Sequence, residues 1–151
     1  MKQPELKKIS ELLVMNFYVP SYQRGYRWTK FEVLDLLEDL KQLLGKPQGT
    51  KYCLQPLIVK DIDVNKYEVI DGQQRLTTIF LILKYISTLV PDETLNERYT
   101  LDYQTRPNSG YFLENIDTET SFNDTPDFYY MHFAYQTIKE WFEKQGSNKP
   151  V

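Results

Sequence analysis

Apolar residues recur at helical spacing in three long stretches of the chain. The first runs from Val33 to Leu44, with acidic residues largely on the opposite side, and it follows a capping-box pattern formed by Thr29 and Glu32. A glycine and a proline come soon after it. Because glycine often follows the last turn of a helix and proline cannot continue one, this amphipathic helix is predicted to end before Gly45.

The second and third stretches predict a buried helix and a terminal helix. Apolar residues occupy nearly every side of the helix expected after Asp71, and a helix that is apolar on most sides is buried on most sides. We therefore expect it to be the central helix of the domain. Pro126 suits the first turn of the last helix, which is predicted to end near Gly146. Residues 4–14 carry a shorter helical pattern, and residues 107–116 indicate a short helix or loop.

Four segments carry strand patterns. Residues 16–22 begin with aromatic and β-branched side chains, and residues 98–104 alternate apolar and polar side chains. Residues 54–62 and 67–70 are separated by a polar turn at residues 63–66, which predicts a hairpin. The resulting order is helix, strand, helix, strand, strand, helix, strand and then helices. This order predicts an α+β fold with a small mixed sheet packed by helices.

Composition and charge narrow the class of protein. With 151 residues, 41% of them hydrophobic and 26% charged, the chain suits a soluble globular domain. A net charge of −3 and a pI of about 5.2 argue against a large nucleic-acid footprint, although a local basic cleft is compatible with them. The longest apolar run, Ile79 to Leu83, is too short to cross a bilayer, so no membrane partner is expected.

Cysteine and histidine are too scarce for several kinds of site. Cys53 is the single cysteine, so no internal disulfide can form, and with no signal-peptide pattern a cytoplasmic location is expected. His132 is the single histidine and is expected to pack or to lie on the surface. The sequence therefore predicts neither a Cys/His zinc site nor the histidine-rich metal site of a nuclease in this chain.

The candidate functional centre is the turn between the second hairpin strand and the buried helix. A strand-to-helix turn points backbone N–H groups outward, and the helix dipole favours negative charge there. Arg75 would lie in the first helical turn, where a cation opposes the dipole unless an anion is near. Its guanidinium can grip a phosphate with two hydrogen bonds, and an internal ion pair is the alternative explanation of this residue. The turn is thus predicted to bind a phosphate-bearing ligand.

The other residues of the turn each have a chemical and a structural interpretation. Asp71 could position a metal ion or a water molecule, or it could be the N-cap of the helix, with Gln74 completing a capping box. Gly72 is predicted to permit a positive φ or a close backbone approach. Gln73 and Gln74 can orient a water molecule or contact phosphate oxygens, or they are ordinary surface residues of the helix. The candidate catalytic residues are Asp71, Gln73, Gln74 and Arg75.

Two arginines alternate with three aromatic residues between the first strand and the first long helix. The segment consists of Tyr22, Gln23, Arg24, Gly25, Tyr26, Arg27 and Trp28. Arginine can take a phosphate while an aromatic face stacks on a base, which contributes about 1–3 kcal/mol per base. An aromatic edge of the core with cation–π packing is the alternative. The candidate phosphate- and nucleotide-binding residues are Tyr22, Gln23, Arg24, Arg27, Gly72 and Arg75.

Together, the two motifs resemble those of a known family. The stretches VPSYQRGYRW at residues 19–28 and DGQQRLTT at residues 71–78 look like the paired motifs of the GmrSD-type domain. That domain forms the N-terminal part of bacterial modification-dependent restriction enzymes and related phage-defence proteins. Its fold is similar to the ParB and sulfiredoxin superfamily, in which a Gln-Pro-Arg-type box is paired with a Gly-x-x-Arg turn. The corresponding residues here are Gln23 and Arg24, and Gly72 and Arg75.

The resemblance implies a fold and an activity. It implies a ParB/sulfiredoxin-like nucleotide-binding core over residues 1–92, with a strand and helical extension over residues 93–151. It also implies that the core binds a nucleotide and hydrolyses it to gate a nuclease. From the residues of the turn we expect the ligand to be a nucleoside triphosphate, with Asp71 or one of the glutamines orienting a water molecule or Mg²⁺, an ion that is held by few protein ligands together with phosphate oxygens. Gln73 and Gln74 stand where sulfiredoxins carry a reactive cysteine, so thiol chemistry is not expected at this turn.

The same resemblance implies that DNA is contacted by a nuclease domain downstream or in a partner, and the chain is expected to be the front portion of a longer protein. Two other classes of function stay open. The cleft could hold the phosphodiester backbone of DNA in a binding or cleaving module, although the acidic pI counts against this. The chain could also be a non-catalytic protein-interaction domain. Hydrolysis by this chain alone and a homodimer are likewise left open.

Overall fold

The computed structural model describes residues 9–44, 46–47, 57–89, 99–104, 108–118 and 122–147, and within them the chain forms five helices and four strands. In chain order these are α1 (Ile9–Leu12), β1 (Asn16–Val19), α2 (Lys30–Leu44), β2 (Ile58–Asp63), β3 (Lys66–Asp71), α3 (Gln73–Leu89), β4 (Thr100–Tyr103), α4 (Ser109–Glu114) and α5 (Pro126–Ser147). This order confirms the predicted α+β class. Residues 4–8 of the first predicted helix and 54–56 of the predicted strand lie outside the described residues.

The strands form a mixed sheet in the order β2-β3-β1-β4. β1 is an inner strand and runs parallel to both neighbours, with Phe17 opposite Tyr67 on one side and opposite Leu101 on the other. β2 and β3 form the predicted antiparallel hairpin. Asn65 in its turn has a φ of 54°, a conformation that asparagine adopts more readily than most residues. Because β1 and β3 are parallel, the segments that follow them leave the sheet at the same edge.

One of the two hydrogen bonds of the predicted capping box is present at the start of α2, the one from the Thr29 N–H to the Glu32 side chain. The Thr29 N–H donates to Glu32 Oε2 at 3.0 Å, and the Thr29 hydroxyl donates to the same oxygen. The Thr29 carbonyl accepts the first helical hydrogen bond, from the Val33 N–H at 3.2 Å. The helix ends at Leu44, directly before the predicted stop. The local sequence thus specifies both ends of α2.

The prediction that α3 is the central helix is confirmed. Every side chain from Leu76 to Ile82 is buried, so α3 has no exposed face along these two turns. Phe80 packs edge-on against the ring of Tyr99, and Tyr85 packs against rings of α5. Continuous burial is the physical reason that α3 carries apolar residues all round.

α5 begins at Pro126, as predicted, because Thr125 caps it. The Thr125 hydroxyl accepts from the Phe128 N–H, and the Thr125 carbonyl accepts from the Tyr129 N–H, both at 3.1 Å. The helix packs against both α2 and α3. Its Trp141 indole N–H donates to the Glu38 carboxylate of α2 at 2.8 Å. α5 therefore covers the two long helices on one side of the molecule.

The division predicted at residue 92 falls between the described residues 57–89 and 99–104, and it stays a prediction. β4 pairs with β1, and α5 packs on α2 and α3, so described residues on both sides of the division share one sheet and one core. The likeness to the ParB and sulfiredoxin superfamily also stays a prediction. No helix in the described ranges has the length and apolar character needed to cross a membrane.

Candidate functional site

The two sequence motifs meet at one edge of the sheet. β1 leads into residues 20–28, here named the arginine loop, and β3 leads into the turn before α3. Their parallel pairing sends both segments out at the same edge. Gln23 in the arginine loop donates from its side chain to the Ile70 carbonyl at 2.7 Å, which ties the loop to the end of β3. Tertiary folding therefore places the first motif beside the second.

Gly72 is the residue that converts strand into helix. Its φ is 102°, which confirms the predicted positive φ. Its carbonyl accepts the first hydrogen bond of α3, from the Leu76 N–H at 3.0 Å. Gly72 is thus the N-cap. The alternative that Asp71 caps the helix is wrong, because Asp71 is the last residue of β3, is paired with Ile58 and lies one position too early. Its exposed carboxylate lies beside the turn.

Gln74 fastens the arginine loop to α3 with both ends of its amide. Its Nε2 donates to the Gly25 carbonyl at 2.9 Å, and its Oε1 accepts from the Arg27 N–H at 2.8 Å. A side-chain amide that pairs with one carbonyl and one N–H imitates a strand partner for the loop. The alternative of an ordinary surface helix residue is therefore wrong for Gln74.

Gln73 has a similar position but a weaker bond. Its side chain is buried, with 8% of its surface exposed, and its Nε2 donates to the Arg24 carbonyl at 3.4 Å. The surface interpretation is therefore wrong for this residue too. The predicted roles of Gln73 and Gln74 toward water or phosphate stay predictions, and the contacts that the structure gives their amides are with the loop backbone.

Two arginines, one from each motif, lie at this edge. The guanidinium carbon of Arg75 lies 5.5 Å from the ring centroid of Trp28, within the range of a cation–π contact, and the side chain is partly buried. Arg24 is exposed, and its backbone contacts Gln73. Tyr22, also exposed, keeps 67% of its surface accessible. Arg24, Arg75 and Tyr22 thus remain candidates for contact with a ligand.

Arg27 is held inside the protein by a buried acid. Its Nη1 lies 2.5 Å from Oδ1 of Asp127, whose side chain is fully buried, and also donates to the Tyr26 carbonyl at 2.7 Å. The guanidinium carbon lies 5.6 Å from the Tyr130 ring centroid. Three contacts fix the guanidinium, so Arg27 connects the arginine loop to α5. Its predicted contact with a ligand stays a prediction, with only a quarter of the side chain exposed.

Tyr26 belongs to the core rather than to a ligand clamp. Its side chain is fully buried, and its hydroxyl forms a hydrogen bond with Thr78 Oγ1 of α3 at 2.8 Å. Burial raises the pKa of Tyr26 well above its usual range, so the phenol stays neutral. The predicted alternative, an aromatic edge of the core, therefore holds for Tyr26.

Sequence reasoning did not anticipate Asp127 as part of this arrangement. An acid in the first turn of a helix is already explained by the dipole, so the sequence carries no distinct signal for a buried ion pair. The position of Asp127 in the first turn of the predicted last helix is the only sequence feature that draws attention to this residue. The separation of 100 residues from Arg27 makes the pair visible only in three dimensions.

Magnesium was the expected cofactor, and the turn offers one exposed carboxylate, that of Asp71. No three His, Cys, Asp or Glu side chains converge on one point within the described ranges. Mg²⁺ in nucleotide sites is commonly held by one or two carboxylates together with phosphate oxygens and water. The residues present therefore fit Mg²⁺ that arrives with a phosphate ligand better than an all-protein metal site.

His132 is a packing residue, as expected. Its ring stacks on Phe122 with centroids 4.1 Å apart, and burial lowers the pKa of its imidazole. The contacts of His132 are therefore with aromatic rings, those of Phe122 and Phe133. Cys53 lies outside the described residues.

The edge as a whole can hold an anion. The first N–H groups of an α-helix have no intrahelical acceptor and lie at the positive end of the dipole. At the start of α3 they lie beside Arg75, with Arg24 on the adjoining loop. A phosphate group is a suitable ligand for such a combination.

A comparison with protein families gives a match over most of the chain. The family model described as the GmrSD restriction endonuclease, N-terminal domain, matches residues 6–149. The matched range includes the arginine loop, the turn before α3 and the buried Asp127 of α5. A search of curated proteins returned no match to the chain.

Proposed function

Because this chain belongs to the family of the GmrSD restriction endonuclease N-terminal domain, we propose that it binds a nucleoside triphosphate at the turn before α3. Family membership indicates a domain of a restriction or phage-defence protein. The nucleotide is the finer part of the proposal. It is supported by the convergence of two arginine-bearing motifs on the N-terminus of a buried helix.

The observation that carries the proposal is the position of Arg75. A cation in the first turn of a helix is unfavourable toward the helix dipole by about 0.3–1 kcal/mol, and a bound anion offsets this cost. The Arg75 guanidinium packs on Trp28, which holds it at the edge where α3 begins. In the proposed complex Arg75 grips phosphate oxygens, the first N–H groups of α3 donate to them, and Arg24 closes over them from the loop.

The glutamines of the motif have a positioning role in this proposal. Gln74 holds the backbone of Gly25 and Arg27, and Gln73 contacts the Arg24 carbonyl, so both keep the arginine loop against the phosphate site. Asp71 is the residue that would hold Mg²⁺, which neutralises phosphate charge when bound. Hydrolysis would then use a water molecule near Asp71. Binding and hydrolysis would gate a nuclease that acts on DNA through another domain or partner.

Thermal unfolding with nucleotide tests the proposal. A ligand at a hundredfold excess over its Kd stabilises the folded state by about 2.7 kcal/mol, which corresponds to roughly 5–10 °C in Tm for a chain of this size. Wild-type protein with Mg²⁺ and each of the four nucleoside triphosphates should show such a shift with at least one of them. Arg75→Ala should lose the shift while the protein stays folded, because loss of the contact with Trp28 costs only about 0.5–1 kcal/mol and removal of the cation relieves an unfavourable interaction with the helix dipole.

Lys66→Ala is the matched control. Lys66 also lies over an aromatic ring, with its ammonium 5.7 Å from the Tyr18 centroid, but it is at the opposite end of β3 from the turn. This variant should keep the nucleotide-induced shift. Unchanged nucleotide affinity in folded Arg75→Ala would contradict the proposal. A salt-dependent DNA gel shift without any nucleotide-induced stabilisation would instead favour the DNA-binding alternative, and no response to either ligand would favour an interaction domain.

A further inference from the structure

A groove lined by aromatic rings lies beside the proposed phosphate site. Its volume is about 330 Å³, which is at the lower end of the range for small-molecule sites. Trp28 contributes one wall, and α5 contributes Tyr129, Tyr130, Phe133, Gln136 and Glu140. The groove thus runs between the end of the arginine loop and the exposed side of α5.

The aromatic residues on the α5 side are more exposed than the core requires. Tyr129 and Phe133 each keep 46% of their surface accessible, although they occupy the same helix as the fully buried Met131 and Ile138. The Tyr129 and Phe133 rings, four residues apart, have centroids 4.6 Å from each other. Adjacent exposed rings form an apolar surface of the kind that flat aromatic ligands cover.

Two of the rings that line the groove also contact arginines of the two motifs. The guanidinium carbon of Arg75 lies 5.5 Å from the centroid of the Trp28 ring, and Trp28 also lines the groove. The guanidinium carbon of Arg27 lies 5.6 Å from the centroid of the Tyr130 ring, and Tyr130 lines the groove as well. A ligand with an anionic group at Arg75 and an aromatic group could therefore contact both regions at once, with Trp28 as their common wall.

We infer that this groove binds the nucleobase of the nucleotide whose phosphates lie at the turn before α3. The inference rests on the proposed function and adds to it a second, separate set of contacts. Every base has a π-face that stacks on aromatic side chains, so Tyr129, Tyr130, Phe133 and Trp28 supply affinity for any base. The occupant is a mononucleotide base rather than a peptide, because the groove is small and one of its walls, Trp28, also contacts Arg75 of the proposed phosphate site.

Two polar residues of α5 are positioned to read the edge of the base. Gln136 and Glu140 are four residues apart, so they are neighbours on one face of the helix. The Gln136 amide offers a donor and an acceptor, whereas the Glu140 carboxylate, when ionised, only accepts. The hydroxyl of Thr137, which also lines the groove, donates to the Phe133 carbonyl. Base selectivity is therefore assigned to Gln136 and Glu140.

Calorimetric titration with a nucleoside triphosphate and with inorganic tripolyphosphate, both with Mg²⁺, separates the two sets of contacts. Phe133→Ala should reduce the affinity for the nucleoside triphosphate about tenfold, because the base loses one stacking partner, and should leave the affinity for tripolyphosphate unchanged. Phe31→Ala is the matched control, because Phe31 is 79% exposed and does not line the groove. Arg75→Ala should weaken both ligands.

A second variant tests the reading of the base. Glu140→Gln keeps the shape of the side chain and should change the rank order of the four nucleoside triphosphates without changing tripolyphosphate affinity. If wild type and Phe133→Ala bind every nucleotide with equal affinity while Arg75→Ala loses nucleotide binding, the assignment of the base to the groove is overturned and the proposed function is retained. Absence of nucleotide binding by the wild type would overturn both. Weakened binding of a single-stranded oligonucleotide with unchanged mononucleotide binding would also overturn the inference, because the groove would then take a base of DNA.

Discussion

Gly25 shows at the scale of single residues how closely the arginine loop fits against α5. A Cβ atom at this position would lie 2.5 Å from Asp127 Oδ1 and 2.8 Å from its carboxylate carbon. The same carboxylate holds the guanidinium of Arg27 at 2.5 Å, so it is not free to withdraw. Glycine is thus required here for close approach. The ion pair and the glycine together set the distance between the loop and the start of α5.

Gly25→Ala is therefore expected to destabilise the fold by about 1–3 kcal/mol, the usual range for overpacking a filled site. Urea denaturation measures the change. Gly146→Ala is the matched control, because a Cβ there meets nothing within 4 Å and the residue lies in a helix. It should stabilise the protein by about 0.5–1 kcal/mol. Equal effects of the two substitutions would contradict the close fit at Gly25.

Elements of this fold differ in how much of them the sequence could predict. α2 was predictable at both ends because the Thr29 and Glu32 cap, the apolar period and the stop signal are all local. The predicted N-cap of α3 lies one residue before the observed one. Asp71 has the better capping side chain, but the backbone turns at Gly72. Capping preference is a weak signal when a glycine beside it allows the sharp turn.

The capping carboxylate of α2 gives a pH-dependent prediction. The hydrogen bond from the Thr29 hydroxyl lowers the pKa of Glu32 below its usual value. A lowered folded-state pKa means that the unfolded chain binds the proton more readily, so this contribution to stability is present above the ordinary glutamate pKa and is lost as pH falls through the lowered one. Glu32→Gln should therefore be less stable than wild type near pH 7, and the difference should disappear at strongly acidic pH.

Urea denaturation of both proteins across that pH range measures the difference. The Thr29→Val substitution, which removes the donor hydroxyl, should reduce the pH dependence of the Glu32→Gln difference. A difference that stays constant with pH would show that the Glu32 carboxylate does not stabilise the start of α2 through its charge.

The whole molecule is organised by contacts that no local pattern could reveal. The arginine loop bonds α3 through Gln74, about 50 residues away, and α5 through Asp127, 100 residues from Arg27. The family resemblance indicated that the two motifs belong together, but the glutamines were predicted to contact water or phosphate or to lie on the helix surface, and their contacts with the loop backbone were not predicted. Their contacts depend on the parallel pairing of β1 with β3, which brings two distant segments to one edge.

The division of labour within the motifs follows from the same architecture. Tyr26, Arg27 and Gln74 attach the arginine loop to the two helices, whereas Arg24 and Tyr22 are exposed and Arg75, partly buried against Trp28, is proposed to contact a ligand. Alternating arginine and aromatic residues look alike in sequence. Contacts in the folded chain, which the sequence does not show, distinguish the residues that hold the loop from those proposed to contact a ligand.

Backbone amide NMR of the chain, titrated with a nucleoside triphosphate and Mg²⁺, tests the central claim most directly. At 18.0 kDa the chain is small enough for amides to be followed individually. The account predicts saturable shifts of the Gln73, Gln74 and Arg75 amides, with the Val64 amide at the far hairpin turn unchanged. Loss of those shifts in Arg75→Ala is expected as well. Saturable binding that leaves the amides at the start of α3 unshifted would contradict the account.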